Sequence, residues 1–327
     1  MTDPAAPEPL SFRWPAEWEP LEAVWVVPPH NEETWPGCLD EARAEHAAWC
    51  DAMAEVVPVR TPDKLGIATN DSWIRDFGPL FVFDAEGKLA IQDFRFNGWG
   101  DKYELRDRDD TVSQKLAEAL GLPIIRHDTI LEGGALETDG RGTLLTTPEC
   151  VLHPNRNDHA DRAEFETRFS ETLGITKTHW LPLPDGGLPG DDTDGHIDNA
   201  ARFLPPADGG RADTVAVHPA LDAAPLREAG YHIVTLPAVE PIIHDYPADR
   251  FGPAKQLQLP CSYANFLIAN GSVFVPTFGQ ASDDVALRML DDAMPHHRPV
   301  PIRSKHLIIG LGAMHCLSMQ QPAAPQS

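Results

Sequence analysis

One order of segments recurs five times along this chain and restricts its fold more than any other feature. A stretch of helical periodicity leads into a short apolar or β-branched run, then into a polar or glycine-bearing motif, three of which continue into hairpins. Apolar spacing and end signals predict helices near Thr34 to Val56, Asp110 to Leu120, Asn157 to Leu173, Ala220 to Ala229 and Ser282 to Met294. Thr34, with Pro36 nearby, opens the first. Gly174 and Gly230 close the third and fourth, and Ser282 followed by two aspartates suits the start of the fifth. The runs that follow are VVPVR (56–60), PIIR (123–126), THWLP (178–182), HIVTLP (232–237) and VPIR (300–303), each read as a buried strand. The motifs are NDSWIRDFGP, LEGG, GDDTDGHIDN, CSYAN and GAMHC. Hairpin turns are signalled between Asp84 and Gly87, at Asp139-Gly140 and at Asn270-Gly271.

The candidate site residues Asp76, Glu132, His196, Asn265 and Cys316 follow one another at intervals of 56, 64, 69 and 51 residues. Near-equal units suggest a closed α/β ring, a fivefold propeller in one domain, in which equivalent strand ends meet at the centre. An ordinary α/β alternation on a parallel sheet accounts for the same segments and stays open on pattern alone. No linker divides residues 13–322. The acidic, Pro-rich residues 1–12 read as a loose leader without a signal-peptide pattern, and 323–327 as a tail.

A hydrophobic content of 42% can fill a substantial core, yet no apolar run is long enough to span a membrane. Five scattered cysteines without a CxxC fit a reducing cytosol, so a cytoplasmic location is expected. A formal net charge of −24 disfavours nucleic acid and anionic membranes and attracts cations.

Two motifs carry the strongest chemical signal. In GDDTDGHIDN, His196 and Asp198 would share one face if Gly195 to Phe203 were a strand. The loop lacks the end ligands of a calcium-binding EF-hand, and no histidine-carboxylate metal cluster accompanies it, so no metal is expected. In GLGAMHC, read as the end of an apolar strand HLIIG, Cys316 is the candidate nucleophile, with His196 rather than its neighbour His315 as its base. Cys38, Cys50, Cys150 and Cys261 are assigned to structural roles. Asp76, Glu132 and Asp198 occupy matched places in the repeat. Converging carboxylates repel unless a cation sits among them, and a planar guanidinium fits paired carboxylates.

These residues resemble the agmatine deiminase and bacterial peptidylarginine deiminase family of guanidino-group-modifying enzymes. The resemblance runs from Trp14 to Pro322 through WPAEWEPLEAVWVVPPHNEETWPG, NDSWIRDFGP, FNGWGDKY, LEGGALETDGRGTLLTT, HPNRN, GDDTDGHIDNAARF, SYANFLIANGSVFVPTFG and MHCLSMQQP. It implies the pentein-like fivefold propeller. It also implies catalytic roles for Cys316 (nucleophile), His196 (acid and base), Asp76 and Asp198 (guanidinium grip), and substrate contacts from Glu132, Trp73 and Asn265. No metal or organic cofactor is implied. The expected reaction deiminates a small cationic guanidine, agmatine before arginine or peptidyl arginine, to a ureido product through a thiouronium on Cys316. The chain departs from the family pattern in GLGAMHC, in LSMQQ, at Phe77 and in NGWGDKYELRDRDD, so Trp99, Asp101 and Glu104 are read as lining a different tail pocket. The edges of such rings can pair two copies, which makes a homodimer the assembly to expect. Competing readings are an amidinotransferase on the same fold, a binding protein for a cationic metabolite, and a manganese ureohydrolase, whose metal clusters are missing from the sequence.

Overall fold

A computed structural model describes residues 12–104, 106–184, 187–248 and 253–325. Most of the proposed leader, residues 1–11, and the last two residues of the tail lie outside the described residues.

Five sheets share one plan: an antiparallel hairpin, then a helix that crosses over to a third, parallel strand. In chain order the second to fifth sheets are Leu80–Asp84, Leu89–Arg95 and Ile124–Ile130; Leu136–Thr138, Thr143–Thr146 and Lys177–Trp180; Ala201–Phe203, Thr214–Val217 and His232–Thr235; Leu267–Ala269, Ser272–Thr277 and Arg298–Arg303. The first is built from both ends of the chain, with Ser318–Pro322 antiparallel to Leu21–Val26 and Leu21–Val26 parallel to Val59–Arg60. That pairing closes the ring. Phe12–Arg13, partly assigned to a loose leader, adds an edge to the second sheet beside Leu80–Asp84.

Local sequence explains most boundaries. Asn270 and Gly271 both take positive φ, as a two-residue hairpin turn requires. Helix Arg162–Leu173 starts where the Asp161 side chain accepts from Glu164 N, and ends at Gly174 in the left-handed region. Other boundaries differ from the reading above. The first helix is Leu39–Ala54, because Thr34 does not cap it but donates to Asp71. Gln280 caps Ala281–Ala293 in a capping box with Asp283, so Ser282 lies inside the helix. The fourth helix shortens to Ala224–Glu228.

The five third strands are not buried. Ile124–Ile130 and Arg298–Arg303 are largely exposed and the others half-buried, because each is the outer edge of its sheet. The inner hairpin strands are the buried ones, such as Leu267–Ala269. The segment HLIIG is not a strand either: Leu307–Gly310 is a short 3-10 turn. No helix among the described residues is long and apolar enough to cross a membrane.

Candidate active site

The polar motifs meet where the inner strands converge, held by a buried ionic hub. Glu17, from WPAEWEP, accepts from Arg202 Nη2 (2.9 Å) and Ile268 N (2.7 Å), lies 2.9 Å from His315 Nε2 and pairs with Arg75 at 3.5 Å. Burial pushes its carboxyl up, but Arg202, His315 and Arg75 outweigh burial and hold it well below the usual range. Arg202, on an inner strand, also grips Glu137 and the Phe266 carbonyl. Arg75 donates to the His315 carbonyl and to Gln320, while its backbone N–H reaches the Cys316 carbonyl. Motifs 240 residues apart are thereby stitched together.

Cys316 lies on a turn rather than at a strand end, with Leu317 N bonded to Ala313 O. Its thiol donates to Asp198 Oδ2 at 3.5 Å and receives the Asn265 amide at 3.1 Å. Burial, then the charges of Asp198 and Asp76, raise the thiol well above its ordinary value, opposed by the Asn265 hydrogen bond. Trp73 packs on this turn so closely that a Cβ at Gly312 would come 2.5 Å from its ring.

His196 and Asp198 do not share a strand face. Their segment is a 3-10 turn, Ile197–Asn199, preceded by Gly195 at φ +102°. The turn sends the two side chains apart. Asp198 goes to Cys316 and to His315 Nδ1 (2.8 Å), and its carboxyl is held low: burial opposes the charge, but His315, His196 and Arg202 favour it. His196 places Nε2 2.8 Å from Glu132 Oε2 and Nδ1 3.6 Å from Asp76 Oδ1. Burial disfavours the imidazolium, yet Asp76, Cys150 and Glu132 raise His196 well above its ordinary value. His315 has carboxylates at both ring nitrogens and no nitrogen left for the thiol.

Asp76 completes the centre. Oδ1 accepts from Gly134 N (3.0 Å) and Oδ2 from the Trp99 indole (2.9 Å). Burial raises its carboxyl to about 6, against the pull of His196 and with the push of Glu132 and Asp198. Gly134 allows this crowding, since a Cβ there would lie 2.5 Å from His196 Nδ1 and 2.7 Å from Asp76 Oδ1.

Beyond the thiol opens a cavity of about 120 Å³. Trp73, Asp76, Trp99 and Cys316 form its inner wall, with Asp71, Asp109, Asp192, Tyr246 and Lys255 further along. Glu132, His196, Asp198 and Asn265 are not among its lining residues; His196 and Asp198 reach it through direct contacts with Asp76 and Cys316, while Glu132 backs His196 and the Asn265 amide reaches the sulfur. Of the residues read as a new tail pocket, Trp99 lines the cavity, whereas Asp101 turns to Arg106 and Glu104 is exposed and not among the lining residues.

Several working residues were not singled out by motif reading. Arg156, in HPNRN, binds both Glu132 oxygens (2.8 and 3.0 Å), Asp194 (2.7 Å) and the Thr193 carbonyl (2.9 Å), locking the His196 turn onto Glu132. Cys150, assigned a structural role, sits on the short helix Pro148–Val151 with its thiol 3.6 Å from Glu132. Glu132, Cys150 and His196 together offer metal-binding atom types, but Arg156 already covers both Glu132 oxygens. The one cue to Arg156 and Glu17 was that each lies inside a family-like segment.

A buried thiol, an imidazole backed by a carboxylate, and two further carboxylates on a fivefold α/β ring define a guanidino-group-modifying enzyme of the pentein fold. The chain belongs to the Porphyromonas-type peptidyl-arginine deiminase family, whose model matches residues 13–322; it is a hydrolase acting on C–N bonds of linear amidines. The agmatine deiminase of Pseudomonas aeruginosa (strain LESB58) is 32% identical, with 99% of each chain covered. Among solved structures, the agmatine deiminase of Enterococcus faecalis superposes with a TM-score of 0.85 at 26% identity, covering 96% of this chain and 97% of that one. A cysteine-to-serine variant of the C. jejuni agmatine deiminase, with substrate bound, gives 0.83 at 26% identity, with 96% and 97% covered. An amidinotransferase from Microseira wollei, at 0.60 and 12% identity over 96% and 98%, shares the fold.

Proposed function

We propose that this protein hydrolyses agmatine to N-carbamoylputrescine and ammonia through a covalent intermediate on Cys316. The observation that carries the reading is the Cys316 thiol wedged between Asp198 and the Asn265 amide, facing a cavity walled by Asp76. A guanidinium seated between Asp76 and Asp198 supplies the missing cation. Its charge offsets the carboxylates that keep the thiol protonated, so the thiol releases its proton to solvent as substrate binds. The thiolate then adds to the guanidinium carbon. His196, favoured as imidazolium by its carboxylates, protonates the departing amino group. The C–N bond breaks, ammonia leaves and a thiouronium remains. Now neutral, His196 takes a proton from water, hydroxide adds to the carbon, and the C–S bond breaks as the new O–H proton passes to solvent, which returns the thiolate, the imidazolium and a ureido product. Glu132 and Arg156 keep His196 in place through both proton transfers.

Three aspartates on the far wall outnumber Lys255 and support agmatine over arginine. Burial holds the carboxyls of Asp71, Asp109 and Asp192 above the ordinary range, Asp109 up to about 8. A cationic tail relieves them, while the α-carboxylate of arginine adds to the repulsion. A net charge of −24 draws such a dication in. All five cysteines are free, which supports a cytoplasmic setting.

The test incubates metal-free protein with agmatine, arginine and a peptidyl arginine, measuring ammonia and ureido product, with Cys316→Ala as control. Turnover of agmatine alone, lost in Cys316→Ala, is expected. Turnover of another guanidine transfers the reading to that substrate. Turnover that survives Cys316→Ala overturns the mechanism.

A further inference from the structure

The segment 97–103 has a conformation that packing alone does not demand. Gly98, Trp99, Gly100 and Asp101 have φ of +69°, +56°, +79° and +64°, four consecutive left-handed residues of which two are not glycine. For an L-residue this brings Cβ too close to the following carbonyl, so such turns persist only where their surroundings enforce them. Here they do. Asn97 Oδ1 accepts from Gly100 N at 2.9 Å, and its amide donates to the Asn155 carbonyl at 2.8 Å. Asn155 returns a hydrogen bond to the Gly100 carbonyl. Phe96 and Tyr103 meet the Trp99 ring edge-on at 4.9 and 5.4 Å. This scaffold aims one polar atom: the Trp99 indole N–H, which donates to Asp76 Oδ2.

We propose that Trp99 is a positioning residue for the guanidinium-gripping carboxylate: its N–H, presented by the left-handed turn, holds Asp76 ionised and oriented for substrate. The inference rests on the deiminase reading above and extends it to a residue whose ring also lines the cavity. Asp76 is faced by the Gly134 N–H, the His196 imidazole, the Glu132 and Asp198 carboxylates and the Cys316 thiol. Among these contacts the indole N–H is a neutral side-chain donor to Oδ2, and it favours the charged carboxylate. Burial meanwhile pushes Asp76 up to about 6. Loss of the N–H therefore pushes the carboxyl further up, toward working pH.

The test is the pH profile of kcat/KM for Trp99→Phe, which keeps an aromatic ring and removes the N–H. The acid limb is expected to move upward by about half a unit or more, which is a loss of ~3-fold or more on the acid side of about pH 6, carried mainly by KM, that narrows toward the parent as Asp76 ionises at higher pH. Gly100→Ala forces a Cβ to within 3.2 Å of Arg156 Nη1 at a positive φ, and is expected to shift the same limb with the indole intact. If Trp99→Phe does not fold, benzothienylalanine at position 99 replaces only the N–H with sulfur. A profile superimposable on the parent, or a loss equal at all pH values, overturns the inference. An inactive parent protein would instead sink the deiminase reading.

Discussion

Replacing Asp198 with asparagine is expected to make Cys316 more reactive to an alkylating agent while ending turnover. Asp198 Oδ2 lies 3.5 Å from Sγ, and both groups are buried. Two unit charges at that distance interact by about 5 kcal/mol at an effective dielectric near 20. Asparagine removes this repulsion between carboxylate and thiolate. If the lost thiol-to-carboxylate hydrogen bond and local rearrangement cancel two-thirds of it, roughly 1.6 kcal/mol remains, a little over tenfold in thiolate fraction. The assay is the rate of iodoacetamide modification at Cys316, followed by peptide mass spectrometry between about pH 6 and 9 in both proteins. The other four cysteines serve as internal controls. Ammonia release from agmatine is measured on the same samples and is expected to vanish, because half of the guanidinium grip is gone. Alkylation no faster in Asp198→Asn than in the parent at any pH would refute the argument that this carboxylate keeps the resting thiol protonated.

Asp76→Asn is expected to abolish turnover yet stabilise the fold near neutral pH. The folded Asp76 carboxyl is raised from 3.8 to about 6, so ionising it costs stability as pH rises through that window. The gain in a denaturant titration is at most about 3 kcal/mol above pH 6 and disappears below pH 4; a destabilised variant would contradict this. Arg156→Gln leaves the buried Glu132 with His196 but without its guanidinium partner and should cost about 3–5 kcal/mol of stability and most of kcat. Arg156→Lys should recover part of both, and equal losses in the two variants would argue against a bidentate role. Gly134→Ala sets a methyl against His196 and Asp76; kcat/KM is expected to fall by ~100-fold or more with only about 1–3 kcal/mol of destabilisation in thermal melts, and near-normal activity would show that the centre is less crowded than described.

What could be read in advance was local. Asn270-Gly271 and Gly174 act through their own backbone, so the hairpin and the helix end are written where they occur. Five repetitions of such signals suggested the ring but left an ordinary α/β alternation open, and the family resemblance separated the two. The third strands were misjudged because apolarity in VPIR and PIIR does not say which edge of a sheet they occupy. His196 and Asp198 were placed on one face because period-two reasoning assumes a strand, and Gly195 instead starts a 3-10 turn that parts them. Glu17 and Arg202 are 185 residues apart, and Arg156 and Glu132 are 24 apart across a sheet crossover. No periodicity reports a charge pair of that kind; the assembled ring brings Glu17 to Arg202, and the crossover within one unit brings Arg156 to Glu132.

The strand that shuts the ring also sets when the enzyme can begin to work. Leu21–Val26 leaves the ribosome nearly 300 residues ahead of its partner Ser318–Pro322. At about 5–20 residues per second, that is roughly 15–60 s of waiting. Cys316 lies two residues before the closing strand, and its surroundings are assembled from all five units. Until that strand pairs, the sulfur lacks the neighbours that surround it in the fold, so Cys316 cannot meet a gripped guanidinium and its chemistry waits on closure of the ring.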